Sequence, residues 1–97
     1  MFEILFTDKA KIQIEKLKKD KNLFKRYNAV KKTIAFLSNN PRHPGLETHE
    51  FTSLKGPSGK KIFEAYAEQS TPAAYRVFWC YGRKRNQIII IAITSHP

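Results

Sequence analysis

The sequence predicts an α+β fold in which an N-terminal helix hairpin packs on one face of a mostly antiparallel four-stranded sheet. The chain order of the elements would be β-α-α-β-β-β. Helical periodicity fills the first half of the chain, and alternating or wholly apolar runs fill the last third. The length of 97 residues and the hydrophobic fraction of 41% fit one domain with a packed core, residues 1–97.

The first half of the chain is predicted to form a strand and two helices. The apolar run at residues 2–6 is typical of a buried strand. Thr7 is a suitable N-cap for a helix over residues 8–19, which carries one apolar stripe. After a short polar break, a second helix extends to about Ser38, and Pro41 prevents its continuation. The apolar face of the second helix consists of Leu23, Tyr27, Val30, Ile34 and Leu37.

Residues 41–60 are predicted to form a loop, because prolines and glycines interrupt the backbone throughout this segment. Three apolar residues, Leu46, Phe51 and Leu54, are spaced along it and would attach it to the core. Loops held on a rigid scaffold often carry functional residues, so this segment is a candidate for the functional site.

The last third of the chain is predicted to form three strands, over residues 62–68, 74–81 and 87–94. The third of these contains consecutive aliphatic residues at 88–92, which suits a central strand buried on both faces. Because the helix hairpin covers only one face of the sheet, we expect the other face to be uncovered. That face would carry Glu64, Tyr66, Arg76 and Phe78.

The chain has a formal net charge of +10, from 18 Lys and Arg against 8 Asp and Glu. This charge favours polyanionic partners, above all nucleic acid. A membrane partner is not indicated, because no apolar run approaches the roughly 20 residues of a bilayer span. The apolar start of the chain is too short for a signal peptide. We therefore expect a cytoplasmic protein.

The residue types offer little support for disulfide or metal chemistry. The single cysteine, Cys80, cannot form an intramolecular disulfide or a cysteine-based zinc cluster. His43 and His49 lack the i, i+4 spacing of a metal-binding pair on a helix. We therefore expect neither a metal nor another cofactor.

Basic side chains are concentrated around the turn between the two predicted helices. They either form a solvated helix face or contact nucleic-acid phosphates, and the scarcity of acids among them favours phosphate contacts. This group consists of Lys16, Lys18, Lys19, Lys21, Lys25 and Arg26. The predicted hairpin loop between the last two strands is also basic, and we expect its residues Arg83, Lys84 and Arg85 to bind nucleic acid as well.

Three lysines, Lys55, Lys60 and Lys61, surround the start of the first C-terminal strand. By alternation from Glu64, the Lys60 side chain is predicted to point to the uncovered face. Nearby glycines would let a phosphate approach the backbone, although the segment matches no phosphate-loop pattern.

Arg76 and His96 each allow a structural and a functional interpretation. Arg76 lies in an otherwise apolar strand, so its charge is either paired with Glu64 on the neighbouring strand or exposed as a fork for phosphate. His96 follows the last strand, where it is either a frayed terminal residue or a general acid or base.

Several segments in this order resemble those of the RelE/ParE toxin superfamily. YoeB-like and RelE-like members carry a Leu-x-Gly turn, paired basic residues entering a strand, an arginine within an aromatic strand, and a terminal strand ending near a His or Tyr. The matching segments here are Leu54-Lys55-Gly56, Gly59-Lys60-Lys61-Ile62, Ala74-Tyr75-Arg76-Val77-Phe78-Trp79 and Ile90-Ile91-Ala92-Ile93-Thr94-Ser95-His96.

The resemblance implies the toxin of a type II toxin-antitoxin system, a metal-independent and ribosome-dependent mRNA endonuclease neutralised by a cognate antitoxin. It would contact mRNA and 16S rRNA phosphates, and the RNA 2′-hydroxyl would attack the adjacent phosphate. By position, Arg76 would stabilise the phosphate and His96 would act as acid or base. Lys60 and Lys61 would hold the RNA backbone or the transition state. The segment His49-Glu50 falls near the place of a carboxylate base.

The sequence also departs from the family pattern. Some relatives carry a Tyr close to the C-terminus on the active face, whereas Pro97 follows His96 here, and residues 69–73 form a longer insertion. ParE-like members share the fold but inhibit DNA gyrase, so the fold does not choose the target. A ParE-like gyrase inhibitor and a non-catalytic antitoxin-binding or RNA-binding relative therefore stay as alternatives.

Overall fold

A computed structural model describes residues 1–95, which form two helices and one five-stranded mixed sheet. The strands are β1 (Glu3–Phe6), β2 (His49–Lys55), β3 (Lys61–Tyr66), β4 (Tyr75–Tyr81) and β5 (Gln87–Ser95), and the helices are α1 (Asp8–Lys19) and α2 (Phe24–Asn39). The sheet order is β1-β5-β4-β3-β2, in which β1 is parallel to β5 and the other neighbours are antiparallel. No helix within residues 1–95 has the length and apolar character needed to cross a membrane.

Both predicted helices are confirmed, and local interactions explain their ends. The Oγ1 atom of Thr7 accepts a hydrogen bond from Ala10 N at 3.1 Å, and Asp8 lies in the first turn, where a negative charge stabilises the helix dipole. A short 3-10 turn at Lys21–Leu23 separates the helices. The second helix ends at Asn39, shortly before Pro41 would interrupt its hydrogen bonds.

The main core lies between the helices and one face of the sheet. β5 contains a β-bulge at Ile91, because Phe78 of β4 pairs with Ala92 and the next residue, Trp79, pairs with Ile90. The bulge shifts the alternation of β5 side chains between the two faces by one residue. Ile90 and Ile93 consequently both contribute to this core. Its fully buried members also include Leu17, Val30, Leu37, Leu46, Ala65, Val77, Trp79 and Ile88.

The prediction of four strands is wrong, because part of the predicted loop forms the edge strand β2. β2 pairs with β3 through His49 opposite Glu64 and Glu50 opposite Phe63, and the register then shifts before Lys55. Most β2 side chains are exposed, so the strand lacks the apolar alternation by which a half-buried strand is recognised. Backbone pairing with β3 and the packing of one side chain, Phe51, hold it in the sheet.

The prediction of an uncovered second face is also wrong over much of that face. Phe51 of β2 packs edge-on against Phe78 at 5.0 Å between ring centroids, and Phe78 is only 3% exposed. Glu64 and Arg76 are 0% and 8% exposed. Two β2 side chains contribute to this burial, Phe51 over Phe78 and His49 against Glu64, and the sequence did not reveal β2 as a strand.

The main core predicts a large effect of one truncation in α2. Leu37 is 0% exposed, so Leu37→Ala should lower the free energy of unfolding by about 2–5 kcal/mol through lost burial and an internal cavity. Ile12→Ala is the matched control, because Ile12 is 59% exposed and its loss should change stability by about 0.5 kcal/mol or less. Urea unfolding followed by circular dichroism measures both. Equal losses in the two variants would contradict the described packing of α2.

Candidate active site

Four side chains, His49, Glu64, Tyr66 and Arg76, meet on the sheet face opposite the helices; they are called the site cluster. The strand register explains their meeting, because His49 of β2 lies opposite Glu64 of β3, and Tyr66 of β3 lies opposite Arg76 of β4. Alternate residues of a strand share a face, so Glu64 and Tyr66 point to the same side of the sheet.

Glu64 is the buried centre of the site cluster. It is 0% exposed; its Oε1 lies 2.7 Å from His49 Nε2, and its Oε2 lies 3.8 Å from Arg76 Nε. A carboxylate removed from water is costly unless opposite charges and hydrogen bonds compensate for the lost hydration. The ion pair of Glu64 with Arg76, one of the two arrangements that the sequence left open for this arginine, is confirmed.

His49 is the solvent-exposed member of the site cluster. Its side chain is 48% exposed, its Nδ1 lies 3.2 Å from the Glu47 carbonyl oxygen, and its ring packs edge-on against Tyr66. Both ring nitrogens therefore face acceptor oxygens, and Nδ1 makes the longer of the two contacts.

Arg76 is fixed beneath the surface by contacts on several sides. Its Nη1 donates to the carbonyl oxygens of Glu68 and, at 3.3 Å, Tyr75. Its Cζ lies 3.7 Å from the centroid of the Tyr66 ring, a cation–π contact. These contacts make Arg76 a held positive charge in a poorly hydrated environment, where electrostatic effects are stronger than in bulk water.

The structure does not bring Lys60 to the site cluster. Its Nζ donates to the Gly82 carbonyl oxygen at 2.9 Å, at the start of the β4–β5 hairpin. Lys60 directly precedes β3 and lies six residues before Tyr66, which corresponds to about 20 Å along an extended chain. Lys60 and Arg76 are therefore at opposite ends of the sheet.

Other predicted basic residues share the Lys60 end of the sheet. Lys55 pairs with Lys61 across β2 and β3, and the β4–β5 hairpin connection lies beyond Tyr81. Their exposed side chains are available to solvent. The exposed basic residues at this end are Lys55, Lys61, Arg83, Lys84 and Arg85.

Glu50 lies next to His49 in sequence but does not join the site cluster. It pairs with Phe63 of β3, and its Oε1 is 4.0 Å from Lys61 Nζ in a partly exposed ion pair. Neighbouring residues of a strand point to opposite faces, which separates the Glu50 and His49 side chains.

His96 lies outside the described residues. The last described residues of β5 adjoin the site cluster, since Thr94 pairs with Arg76 and Ser95 with Tyr75.

The basic residues of the helix hairpin are largely exposed to solvent. Lys16, Lys19 and Lys25 are exposed. Arg26 differs, because its side chain is only 22% exposed and its Nε lies 2.8 Å from Glu68 Oε1. The guanidinium of Arg26 is therefore engaged within the protein.

Sequence reasoning missed Tyr66 and Glu68 as parts of the site, and it gave Glu64 only as a partner of Arg76. Strand alternation had already placed Glu64, Tyr66 and Arg76 on one face. Predicting the contact of His49 with Glu64 would have required the register of β2 against β3, which no pattern in the sequence supplies. Within residues 1–95, no three or more His, Cys, Asp or Glu side chains are grouped so that they could hold a metal ion.

The overall fold matches solved toxin structures over nearly the whole chain. The YoeB/ParE toxin from Agrobacterium tumefaciens superposes with a TM-score of 0.72 at 11% sequence identity, covering 99% of this chain and 100% of that chain. The archaeal RelE–RelB complex from Pyrococcus horikoshii gives a TM-score of 0.65 at 15% identity, covering 97% of this chain and 93% of that chain. The heterotetrameric YoeB–YefM toxin-antitoxin complex from Staphylococcus aureus gives 0.66 at 13% identity, covering 100% and 99%.

These similarities confirm the resemblance in fold to RelE/ParE toxins. No protein-family model matches the sequence, and no curated protein sequence matches it either. At the low identities of the structural matches, the shared property is the fold, and functional statements have to come from the site itself.

The buried position of Glu64 predicts unequal effects of changing the two ends of the His49–Glu64 contact. Glu64→Gln leaves the Arg76 guanidinium buried without a neutralising charge and should cost about 3–5 kcal/mol of unfolding free energy. His49→Gln changes an exposed partner and should cost about 1 kcal/mol or less. Urea unfolding at neutral pH measures both. A loss for Glu64→Gln no larger than that for His49→Gln would contradict a buried, charge-compensating role of this carboxylate.

Cys80 is predicted to be chemically unreactive in the folded protein. It is 0% exposed, and burial raises the pKa of its thiol above the usual value, with the positive charge of Lys60 acting weakly in the opposite direction. The nucleophilic thiolate is therefore scarce at neutral pH. We expect iodoacetamide to modify Cys80 rapidly in denaturant and very slowly in its absence, as measured by mass spectrometry. Fast alkylation of the native protein would contradict this burial.

Proposed function

We propose that this chain is the toxin of a type II toxin-antitoxin system and acts as a metal-independent, ribosome-dependent mRNA endonuclease. One observation carries the proposal: an exposed imidazole, His49, is oriented by a buried carboxylate beside a fixed arginine. A fold shared with YoeB and RelE toxins supports the same assignment.

The proposed reaction is an intramolecular transesterification of RNA. The 2′-hydroxyl loses its proton and attacks the adjacent phosphorus, the bond from phosphorus to the 5′-oxygen breaks, and that oxygen gains a proton. The products are a 2′,3′-cyclic phosphate and a 5′-hydroxyl. The reaction needs a proton acceptor, a positive charge for the phosphorane and a proton donor, all of which amino-acid side chains can supply.

His49 and Arg76 are assigned to these roles on their geometry. The Nδ1 atom of His49 is exposed and can transfer a proton, while Nε2 stays in contact with the Glu64 carboxylate. Arg76 supplies a held positive charge close to the same imidazole. His96 stays a candidate for the second proton-transfer group by its place in the sequence after Ser95.

Substrate binding is assigned to the exposed basic residues away from the site cluster. Lys16, Lys19 and Lys25 on the helix hairpin, together with Lys61 and the β4–β5 loop, would contact mRNA or 16S rRNA phosphates. Such contacts are independent of base identity and fit a net charge of +10. An action on translated mRNA requires the protein to work in the cytoplasm.

The protein partner that we propose is an acidic antitoxin. The net charge of +10 favours an acidic segment, and two of the structurally similar proteins were solved as toxin-antitoxin complexes, RelE–RelB and YoeB–YefM.

The proposed activity predicts new RNA ends after induction in cells. Expression should stop growth, and mapping of 5′ ends should find cuts within translated messages. His49→Asn should lower cleavage by about 100-fold or more, the usual contribution of a general acid or base. His43→Asn is the matched control, because His43 stacks on Phe36 away from the site cluster and its Nδ1 accepts a hydrogen bond from Gly45 N that an asparagine oxygen can also accept.

One outcome would overturn the endonuclease activity, and another would overturn the role of His49. Growth arrest without new 5′ ends, accompanied by DNA damage, would favour a ParE-like gyrase inhibitor. Full cleavage by a folded His49→Asn variant would remove His49 from the mechanism while leaving the endonuclease itself in place.

A further inference from the structure

Arg26 differs from the lysines around it, because its charge is used inside the protein. Its Nε lies 2.8 Å from Glu68 Oε1, its Nη2 donates to the Pro72 carbonyl oxygen at 3.5 Å, and its Cζ lies 4.5 Å from the centroid of the Tyr75 ring. These contacts join the start of α2 to residues 67–74, the loop between β3 and β4. A planar guanidinium makes several such contacts at once, which the ammonium of a lysine cannot do.

Glu68 links Arg26 to the site cluster through two different groups. Its side-chain Oε1 receives the Arg26 contact and also accepts a hydrogen bond from Tyr75 N at 3.0 Å. Its main-chain carbonyl oxygen accepts a hydrogen bond from Arg76 Nη1. The position of one loop residue therefore helps to determine where the Arg76 guanidinium lies.

The loop beyond this carbonyl is exposed and contains a strained residue. Residues 69–73 are exposed, and Ala73 has a left-handed backbone with a φ of 51°, a conformation that costs a non-glycine residue free energy. The amides of Ala67 and Glu68 both donate to the Tyr75 carbonyl, which closes the loop at its base. The contacts of Arg26 with Glu68 and Pro72 attach the loop to α2 as well.

We propose that Arg26 is a positioning residue that holds Arg76 in the site cluster through Glu68, rather than a contact to RNA phosphate. This inference rests on the proposed endonuclease function for its catalytic consequence. Arg26 fixes the Glu68 carboxylate, the Glu68 carbonyl fixes the Arg76 guanidinium, and Arg76 in turn pairs with the carboxylate that orients His49. Small displacements of reacting groups lower the rate of the chemical step more than the binding of substrate.

Two variants of Glu68 separate hydrogen bonding from charge. Glu68→Ala and Glu68→Gln remove the same negative charge, so any change in RNA affinity from charge is equal in both. Only Glu68→Gln keeps an oxygen that can accept from Arg26 and Tyr75. We expect Glu68→Ala to lower kcat by about 10-fold to 100-fold with little change in KM, and Glu68→Gln to lose several-fold less.

Arg26→Ala should reproduce the kinetic effect of Glu68→Ala, and the double variant should be no worse than either single one. Arg26→Lys keeps the charge but lacks the fork, so we expect its kcat to lie close to that of Arg26→Ala. Lys25→Ala is the contrast, because Lys25 is an exposed neighbour assigned to RNA binding. It should raise KM and reduce the slope of log affinity against log salt by about 1.

A nuclear magnetic resonance measurement tests the same inference without catalysis. The Nε–Hε signal of Arg76, assigned from the spectrum of Arg76→Lys, should shift and exchange faster with water in Arg26→Ala and Glu68→Ala. Lys25→Ala should leave it unchanged. If the wild-type protein cuts no RNA, the proposed function fails while this measurement still decides on Arg26.

One pattern of results would overturn the inference. Arg26→Ala would then resemble Lys25→Ala, with a raised KM, a weaker salt dependence, an unchanged kcat and an unmoved Arg76 signal. If Arg26→Ala does not fold, Glu68→Ala and Glu68→Gln carry the test, and equal kcat values for these two would reject the hydrogen-bonded link.

Discussion

The buried carboxylate of Glu64 is the constraint on which the site depends. A negative charge without water must be compensated, and the sheet supplies Arg76 from one neighbouring strand and His49 from the other. The same requirement explains why an arginine is tolerated within an aromatic strand. Stability and the geometry of the site cluster are coupled here, because the carboxylate that needs compensation also holds the imidazole and the guanidinium in place.

The positive charge of the molecule divides into two kinds that the sequence does not distinguish. Exposed lysines on the helix hairpin and at the Lys60 end of the sheet create a field that acts at a distance and weakens with salt. Arg26 and Arg76 are each paired with a carboxylate, Glu68 and Glu64, which offsets their charge at a distance. The net charge therefore indicates that the protein attracts polyanions. The two arginines that are paired with carboxylates indicate where a single anionic group could be bound.

The helices and the central strands were predictable because their side chains follow clear periodicities. Thr7 capped the first helix as expected, and alternation correctly placed Glu64 and Arg76 on one face. β2 was not predictable, because an edge strand with exposed side chains resembles a polar loop in sequence. Missing it also hid the contact of His49 with Glu64 and the layer that Phe51 forms over Phe78. The separation of Lys60 from Arg76 was not predictable either, because alternation gives the direction of a side chain and not its distance from another residue.

The edge position of β2 makes the site cluster easier to disrupt than the rest of the fold. Arg76 lies on the middle strand of the sheet, whereas His49 is attached through a strand that pairs on one side only. Peripheral segments open at a smaller free-energy cost than the body of a domain. Moderate heat or denaturant should therefore release His49 from Glu64 while the helices and central strands stay folded. The arrangement of the site cluster is thus less stable than the fold that carries it.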